Sequence, residues 1–336
     1  MAQSSDELIK REIVDFFRSA SSGPTLRIFP QSSRDDQKNF SDGGLTFGVN
    51  GTLFGSCDAA WFKVEPWMDQ NDGLVYPIKP VLALEATDAL SRGSSGNAQY
   101  QRFHHALGAV RNGVTGVYYF RKGPDKIQPD LFGMAVAASK IEGTPYVVTD
   151  DLQVVKSILR KQESESYTDY LGEVLTQMEI IFKDSFDSRY RSDWNEFARK
   201  RSTIILKNTV VKYAARNVPN FTESSQRAGH IAVGEMYLTK YFFPELNFIY
   251  LFPRMSHEDL RTLDRGKTTD KEWFLLRNEP GVVIKTIDDV ENLSQDIKQS
   301  FLAIKNSPLK GLALKTYRSA AKLMYEELAT GKAQVV

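Results

Sequence analysis

The sequence predicts an α/β fold, with a mixed central sheet flanked by helices in the first half and a mainly helical second half that carries a small β patch. Three observations predict it. Between residues 45 and 150, β-prone runs and helical periodicity follow one another in the order hairpin, strand, helix, strand, helix, strand. Asn50-Gly51 sits between two β-prone runs, the strongest short signal for a hairpin. Beyond Asp150 the pattern changes to long helical stretches without a linker-like segment at the change, so the division near residue 150 is one of character.

The elements follow in chain order. Ser4 and Glu7 have capping-box spacing, and Leu8, Ile9, Ile13, Phe16 and Phe17 recur at helical intervals, which predicts an amphipathic helix over about 5–19. Ser21-Ser22-Gly23-Pro24 stops it. The run TFGVNGTLFGSCDAAWFKV from Thr46 predicts two antiparallel strands about Asn50-Gly51, with Asp58 at the end of the second. Pro80–Thr87 reads as a buried strand, followed by a glycine- and serine-rich turn over 92–96 and a helix from about Asn97 to Val110. Gly113–Phe120 predicts a strand, Pro129–Lys140 a helix and Pro145–Val148 a short strand. In the second half, Leu152–Arg160, Tyr170–Phe186 and Trp194–Ala215 read as helices, Asn247–Phe252 and Trp273–Ile287 as the β patch, and the last segment as helices again.

Composition narrows the classes. With 336 residues, 41% hydrophobic and 25% charged, the chain can bury one large core or two smaller ones, and disorder is not the expectation. A single cysteine, Cys57, allows neither an internal disulfide framework nor a thiolate metal cluster, which points to a reducing compartment such as the cytoplasm. Charges interrupt the first twenty residues, and no stretch has the length and apolarity of a membrane span. A net charge of +1 argues against holding nucleic acid by bulk positive charge alone, so the distribution of charge matters more than its sum.

Two acids stand out. Glu85 lies inside the apolar run VLALEAT, where a charge is costly without a ligand or partner, and Asp58 lies among small and apolar neighbours. Metal-assisted phosphodiester hydrolysis needs converging carboxylates, a polarised phosphate and an activated water, and acids on neighbouring strands can supply the first of these. The plainer alternative is a strand-end acid at Glu85 and a turn cap at Asp58.

Ser56-Cys57-Asp58, Leu84-Glu85-Ala86-Thr87 and the helix from about Asn97, spread over residues 45 to 150, resemble the PD-(D/E)xK nuclease superfamily, which contains most type II restriction endonucleases. The resemblance implies a restriction-endonuclease-like core over 1–150, a helical region over 151–336 for DNA contact and dimerisation, and magnesium (Mg2+) held by Asp58 and Glu85. It also implies a hydrolase that cuts double-stranded DNA at a specific sequence, most simply as a homodimer whose two-fold axis matches a palindromic site. Thr87 stands where the family has lysine, and its hydroxyl cannot supply a positive charge. Gln101 and Arg102 on the following helix are the candidates to replace it. Gln99 and Phe103 resemble the Gln-x-x-x-Tyr element of RecB-type nucleases, with phenylalanine for tyrosine.

Further candidates surround this centre. Arg92, Ser94, Ser95 and Asn97, with Lys122 after the next strand, are placed to meet DNA phosphates, and their alternative is a surface loop. Arg227, in a segment running from Ser225 to Glu235, is a candidate reader of base edges, against a polar turn entering a helix. The basic and aromatic stretch from Arg189 to Lys212 suits phosphate contact, against a solvated helix face. Glu12 is a second-rank candidate for the metal, with a surface ion pair as its alternative. His104 and His105, adjacent on a helix, diverge by about 100° and cannot chelate one ion together. Two other functions fit the same residues: a structure-specific repair or recombination nuclease, and a non-catalytic DNA-binding protein on a nuclease fold.

Overall fold

The computed structural model describes residues 5–19, 26–30, 45–49, 52–66, 75–89, 94–121, 123–213, 229–260, 279–304 and 311–336. The chain is mixed α/β and forms two compact units, Met1–Ser185 and Phe186–Val336. The expected division at residue 150 lies inside the first unit, because α4 (Leu152–Lys161) buries Leu152, Val155, Ile158 and Leu159 there.

The first unit is built on a five-stranded sheet in the order β1-β4-β5-β6-β7. Its strands are β1 (Leu26–Pro30), β4 (Ala59–Pro66), β5 (Val75–Thr87), β6 (Thr115–Phe120) and β7 (Tyr146–Thr149). β4 runs antiparallel to both β1 and β5, whereas β5, β6 and β7 are parallel to one another. Parallel neighbours need crossovers, and α2 (Ser94–Arg111) and α3 (Pro129–Glu142) provide them. β6 is buried along its whole length, as is the Leu82–Thr87 part of β5, which explains their near-continuous apolar runs. Each leucine buried here contributes about 2 kcal/mol relative to an exposed one. α2 crosses so close to β6 that a Cβ on Gly116 would lie 2.6 Å from the Ala106 carbonyl oxygen, so only glycine fits. α1 (Ser5–Ser19) buries Ile9, Ile13 and Phe17, the last edge-on to Trp61 with ring centres 4.8 Å apart. α5 (Tyr167–Tyr190) begins in this unit and runs across the division.

The expected hairpin divides differently. β2 (Thr46–Val49) and β3 (Thr52–Ser56) pair about residues 50 and 51 as a separate two-stranded sheet, and the chain bends at Asp58 before entering β4. Asp58 is therefore not at the end of the second hairpin strand but in the connection that delivers the chain to the main sheet. Gly55, at φ +104°, breaks the extended conformation just before this point.

The second unit is predominantly helical among its described residues, as expected, but its β part is larger than the expected patch. It holds a four-stranded sheet in the order β11-β10-β9-β8, with β10 (Asn247–Phe252) parallel to β9 (Thr209–Tyr213) and β11 (Val282–Thr286), and β8 (Thr203–Leu206) antiparallel to β9. The helix expected over Trp194–Ala215 stops early, as α6 (Trp194–Lys200), and gives way to the β8–β9 hairpin. Thr203-Ile-Ile and Thr209-Val-Val are β-branched runs that lose rotamer freedom in a helix and pack well on a sheet. Trp273 lies outside the described residues. α7 (Gly229–Phe242) precedes β10, and α8 (Gln295–Ala303) and α9 (Leu312–Ala329) pack Ile297, Phe301, Tyr317 and Met324 into a core with Ile204, Val211 and Leu251. β12 (Val290–Glu291) and β13 (Gln334–Val335) close the unit as an antiparallel pair. Partly buried Glu235 of α7 meets Lys212 at 2.5 Å and Arg201 at 3.0 Å, and these two cations hold its carboxyl below the usual range against the cost of burial.

Candidate active site

The site forms where β4 begins and β5 ends. Ala59 pairs with Leu84, so the residue just before β4 comes alongside the last turns of β5. The Asp58 amide donates to the Leu84 carbonyl at 2.8 Å, and Asp58 Oδ2 accepts from the Ala86 amide at 2.8 Å. Two backbone bonds thus fix the aspartate against the strand on either side of Glu85. The other carboxylate oxygen, Oδ1, lies 3.2 Å from Lys10 Nζ, which α1 supplies.

Glu85 lies between Leu84 and Ala86 on the opposite face of β5, because side chains alternate along a strand. It is 1% exposed. Facing it are two residues one helical turn apart on α2, an i,i+3 pair on a common face. Arg102 Nη1 lies 3.3 Å from Glu85 Oε1, and His105 Nδ1 lies 3.1 Å from Oε2. The same Arg102 nitrogen donates to the Ala86 carbonyl at 3.2 Å. A cationic nitrogen therefore sits between a carboxylate oxygen and a backbone carbonyl oxygen.

Burial, the largest cause, and the neighbouring Asp58 push the Glu85 carboxyl up from 4.5 to about 7, against the opposing pull of His105 and Arg102. Burial, with Glu85 and Asp58 nearby, also raises the Cys57 thiol well above its ordinary value, which keeps it protonated and a poor nucleophile. The carboxylates themselves barely reach solvent, whereas the side chains of Lys10, Arg102 and His105 do, at 23%, 33% and 23%. Lys10 and Arg102 balance the charges of Asp58 and Glu85, so the cluster is neutral before His105 is counted.

Of the residues expected from sequence, the fold brings together Asp58, Glu85 and Arg102. Thr87 is close by, but its hydroxyl accepts from the Ala89 amide at 3.1 Å and so shapes the end of β5. Gln101 lies in α2 and Ser94, Ser95 and Asn97 in its first turn, with side chains outside the described set; Arg92, Lys122 and Arg227 lie outside it altogether. Glu12 pairs with Arg121 at 2.6 Å, matching its surface ion-pair alternative. His104 is buried and His105 faces Glu85, so the two do diverge.

Lys10 is the site residue that sequence reasoning missed, whereas His105 was named only as unable to chelate an ion with His104 and proves to face Glu85. Lys10 borders the buried Ile9–Ile13 stripe of α1, but nothing in the local pattern says what that helix packs against. Gln99 is fully buried: its amide nitrogen donates to the carbonyls of Ala89 at 3.0 Å and Lys126 at 2.7 Å, and its side-chain oxygen accepts from the Gln128 amide at 2.9 Å. Phe103 stacks on Tyr146 with ring centres 4.6 Å apart, inside the core.

Magnesium is commonly bound by one or two carboxylates, with water and substrate phosphates completing its shell. Asp58, Glu85 and the Ala86 carbonyl offer oxygens of that type, and Arg102 Nη1 already bonds two of them, Glu85 Oε1 and the Ala86 carbonyl, as a cation. Among the described residues, no three His, Cys, Asp or Glu side chains cluster to hold a metal without further ligands. Nor, among them, is any helix long and apolar enough to cross a membrane. No family model, no curated protein and no solved structure matches this chain.

Proposed function

We propose that the chain is a magnesium-dependent nuclease that hydrolyses phosphodiester bonds in duplex DNA, as a type II restriction endonuclease does. The observation that carries this reading is the pair of buried carboxylates, Asp58 and Glu85, at adjoining strand ends and bordered by cations that reach solvent. Burial pushes the Glu85 carboxyl up to about 7 even with Arg102 and His105 beside it, so a further cation there would favour its ionised form.

Asp58, Glu85 and the Ala86 carbonyl would hold the ion. Bound there, magnesium supplies Lewis acidity toward a phosphoryl oxygen and lowers the pKa of a water. The chain's own contribution is orientation and charge. The backbone bonds from Ala86 and to Leu84 hold Asp58 in place, and Lys10 brings to the site the positive charge that Thr87 lacks. Arg102, which contacts Glu85 and the Ala86 carbonyl and is partly exposed, would lie beside the ion with a guanidinium suited to a phosphate. Two-fold symmetry of a palindromic site would call for a homodimer.

The test is incubation of the purified chain with unmethylated phage DNA and magnesium, beside an EDTA control and Glu85→Ala. Discrete fragments absent from both controls are expected. A smear would favour a structure-specific repair or recombination nuclease. A second reading, a DNA-binding protein without catalysis, is favoured by the engagement of Thr87 Oγ1 with a backbone amide and by the pairing of both carboxylates with cations. It predicts binding with intact DNA under every condition.

A further inference from the structure

The outer face of α9, in the second unit, carries a feature that the proposed active site does not use. Gly311, Leu314, Lys315, Arg318, Ser319 and Lys322 line an open groove of about 340 Å³. The inner face of the helix is fixed by Tyr317, Ala320, Ala321, Met324 and Leu328, all buried. Lys315, Arg318 and Lys322 are therefore turned to solvent by the same periodicity that buries the core residues. Their spacing of three and four residues puts them in one row about 10 Å long at 1.5 Å per residue. Among the described residues lining the groove there is no acid, and only Lys322 has a neighbouring carboxylate, Glu326 at 3.7 Å. Leu312 is 79% exposed at the end of the row, so the face is not covered by the described chain.

We infer that this groove binds the phosphate backbone of duplex DNA. The row is too long for a single phosphate group and matches a ligand with a charge every few ångströms, which a nucleic-acid strand presents. The Ser319 hydroxyl adds a neutral donor of the kind that positions a protein on a backbone without reading sequence. A net charge of +1 leaves no general attraction for DNA, so a local row of cations is where such attraction can arise. The choice of DNA as occupant rests on the proposed nuclease reading; the cationic row itself does not.

The test uses the full chain with Lys315, Arg318 and Lys322 all replaced by alanine, which preserves helix propensity on an exposed face. Binding of a fluorescent duplex of mixed sequence is measured without divalent metal at several salt concentrations, and cleavage is measured separately with magnesium. Far-UV circular dichroism of the variant should match the parent. Expected are a tenfold to hundredfold weaker association and a salt slope flatter by about two to three, roughly one for each phosphate no longer neutralised. Unchanged affinity and slope in a folded variant would overturn the inference, as would a parent chain that does not bind duplex at all. A parent chain that binds with the expected slope but never cuts would overturn the nuclease reading and leave this one standing. If the triple variant loses structure, Arg318→Gln alone, with an expected slope change of about one, decides the matter.

Discussion

Replacing Glu85 with glutamine should make the first unit more stable at alkaline pH while removing any metal-dependent activity. The magnitude follows from the site. Burial places the folded-state pKa at about 7 against 4.5 for the free side chain, which corresponds to about 3 kcal/mol at roughly 1.4 kcal/mol per pKa unit. The sign is that of an acid whose pKa rises on folding. The folded chain binds the proton more tightly than the unfolded one, so stability is greatest below pH 4.5 and is lost progressively as pH climbs to about 7. Above that the deficit is constant. Glutamine resembles the protonated acid and keeps an acceptor for Arg102, so Glu85→Gln should be close to the parent in stability at about pH 4.5 and more stable by up to about 3 kcal/mol at about pH 8.5. Because the chain has two units, a single melting curve mixes them. Amide hydrogen exchange of the peptide spanning Leu82–Thr87 reads the relevant unit directly, with exchange rates corrected for pH. A glutamine variant that is less protected than the parent at the alkaline pH, or a difference of the same size at both pH values, would refute the reasoning.

Two further predictions come from the same site. Lys10→Ala should lower magnesium-dependent cleavage about a hundredfold to a thousandfold, while duplex binding without metal changes little; steady-state cleavage beside a binding isotherm checks it, and activity within threefold of the parent removes Lys10 from the mechanism. Gly55→Ala should destabilise the first unit by about 1–3 kcal/mol, because the backbone there is at φ +104° and the new Cβ would lie 2.4 Å from His105 Cδ2. Adding His105→Ala should recover only the part due to the clash, as read by thermal unfolding of the single and double variants.

Much of the first unit was legible in sequence because its elements are bounded by strong local signals. The apolar runs of β5 and β6, the helical periods of α1 and α3 and the pairing of β2 with β3 each depend on neighbours in sequence. Glu85 could be singled out for the same reason, since a charge within a buried strand is anomalous by itself. Arg102 followed from helix position. Lys10 did not, because its role is set by which face of the sheet α1 meets, a matter of tertiary packing. The hairpin itself was legible, but the place of Asp58 after it was not, because the run continues without a break through Cys57 and Asp58, where a bend costs nothing in composition. The segment after Trp194 was misread because its regularly spaced charges resemble a helix face, while the β-branched runs Thr203–Ile205 and Thr209–Val211 carried the opposing preference. The mixed sheet of the second unit arises from strands far apart in sequence, which no local period announces.

The buried Gln99 side chain ties two otherwise separate segments of chain to α2 at the carboxyl end of the sheet. Its consequence is mechanical. The segments ending β5 and following β6 share one anchor on α2, so a displacement of either is transmitted to the other and to the helix that carries Arg102 and His105. A molecule pressing on one rim would be felt at the carboxylates through a single side chain. Lengthening either connection would leave the tether intact only if Ala89, Lys126 and Gln128 kept their places, which confines variation in that rim to the stretches between the three knots.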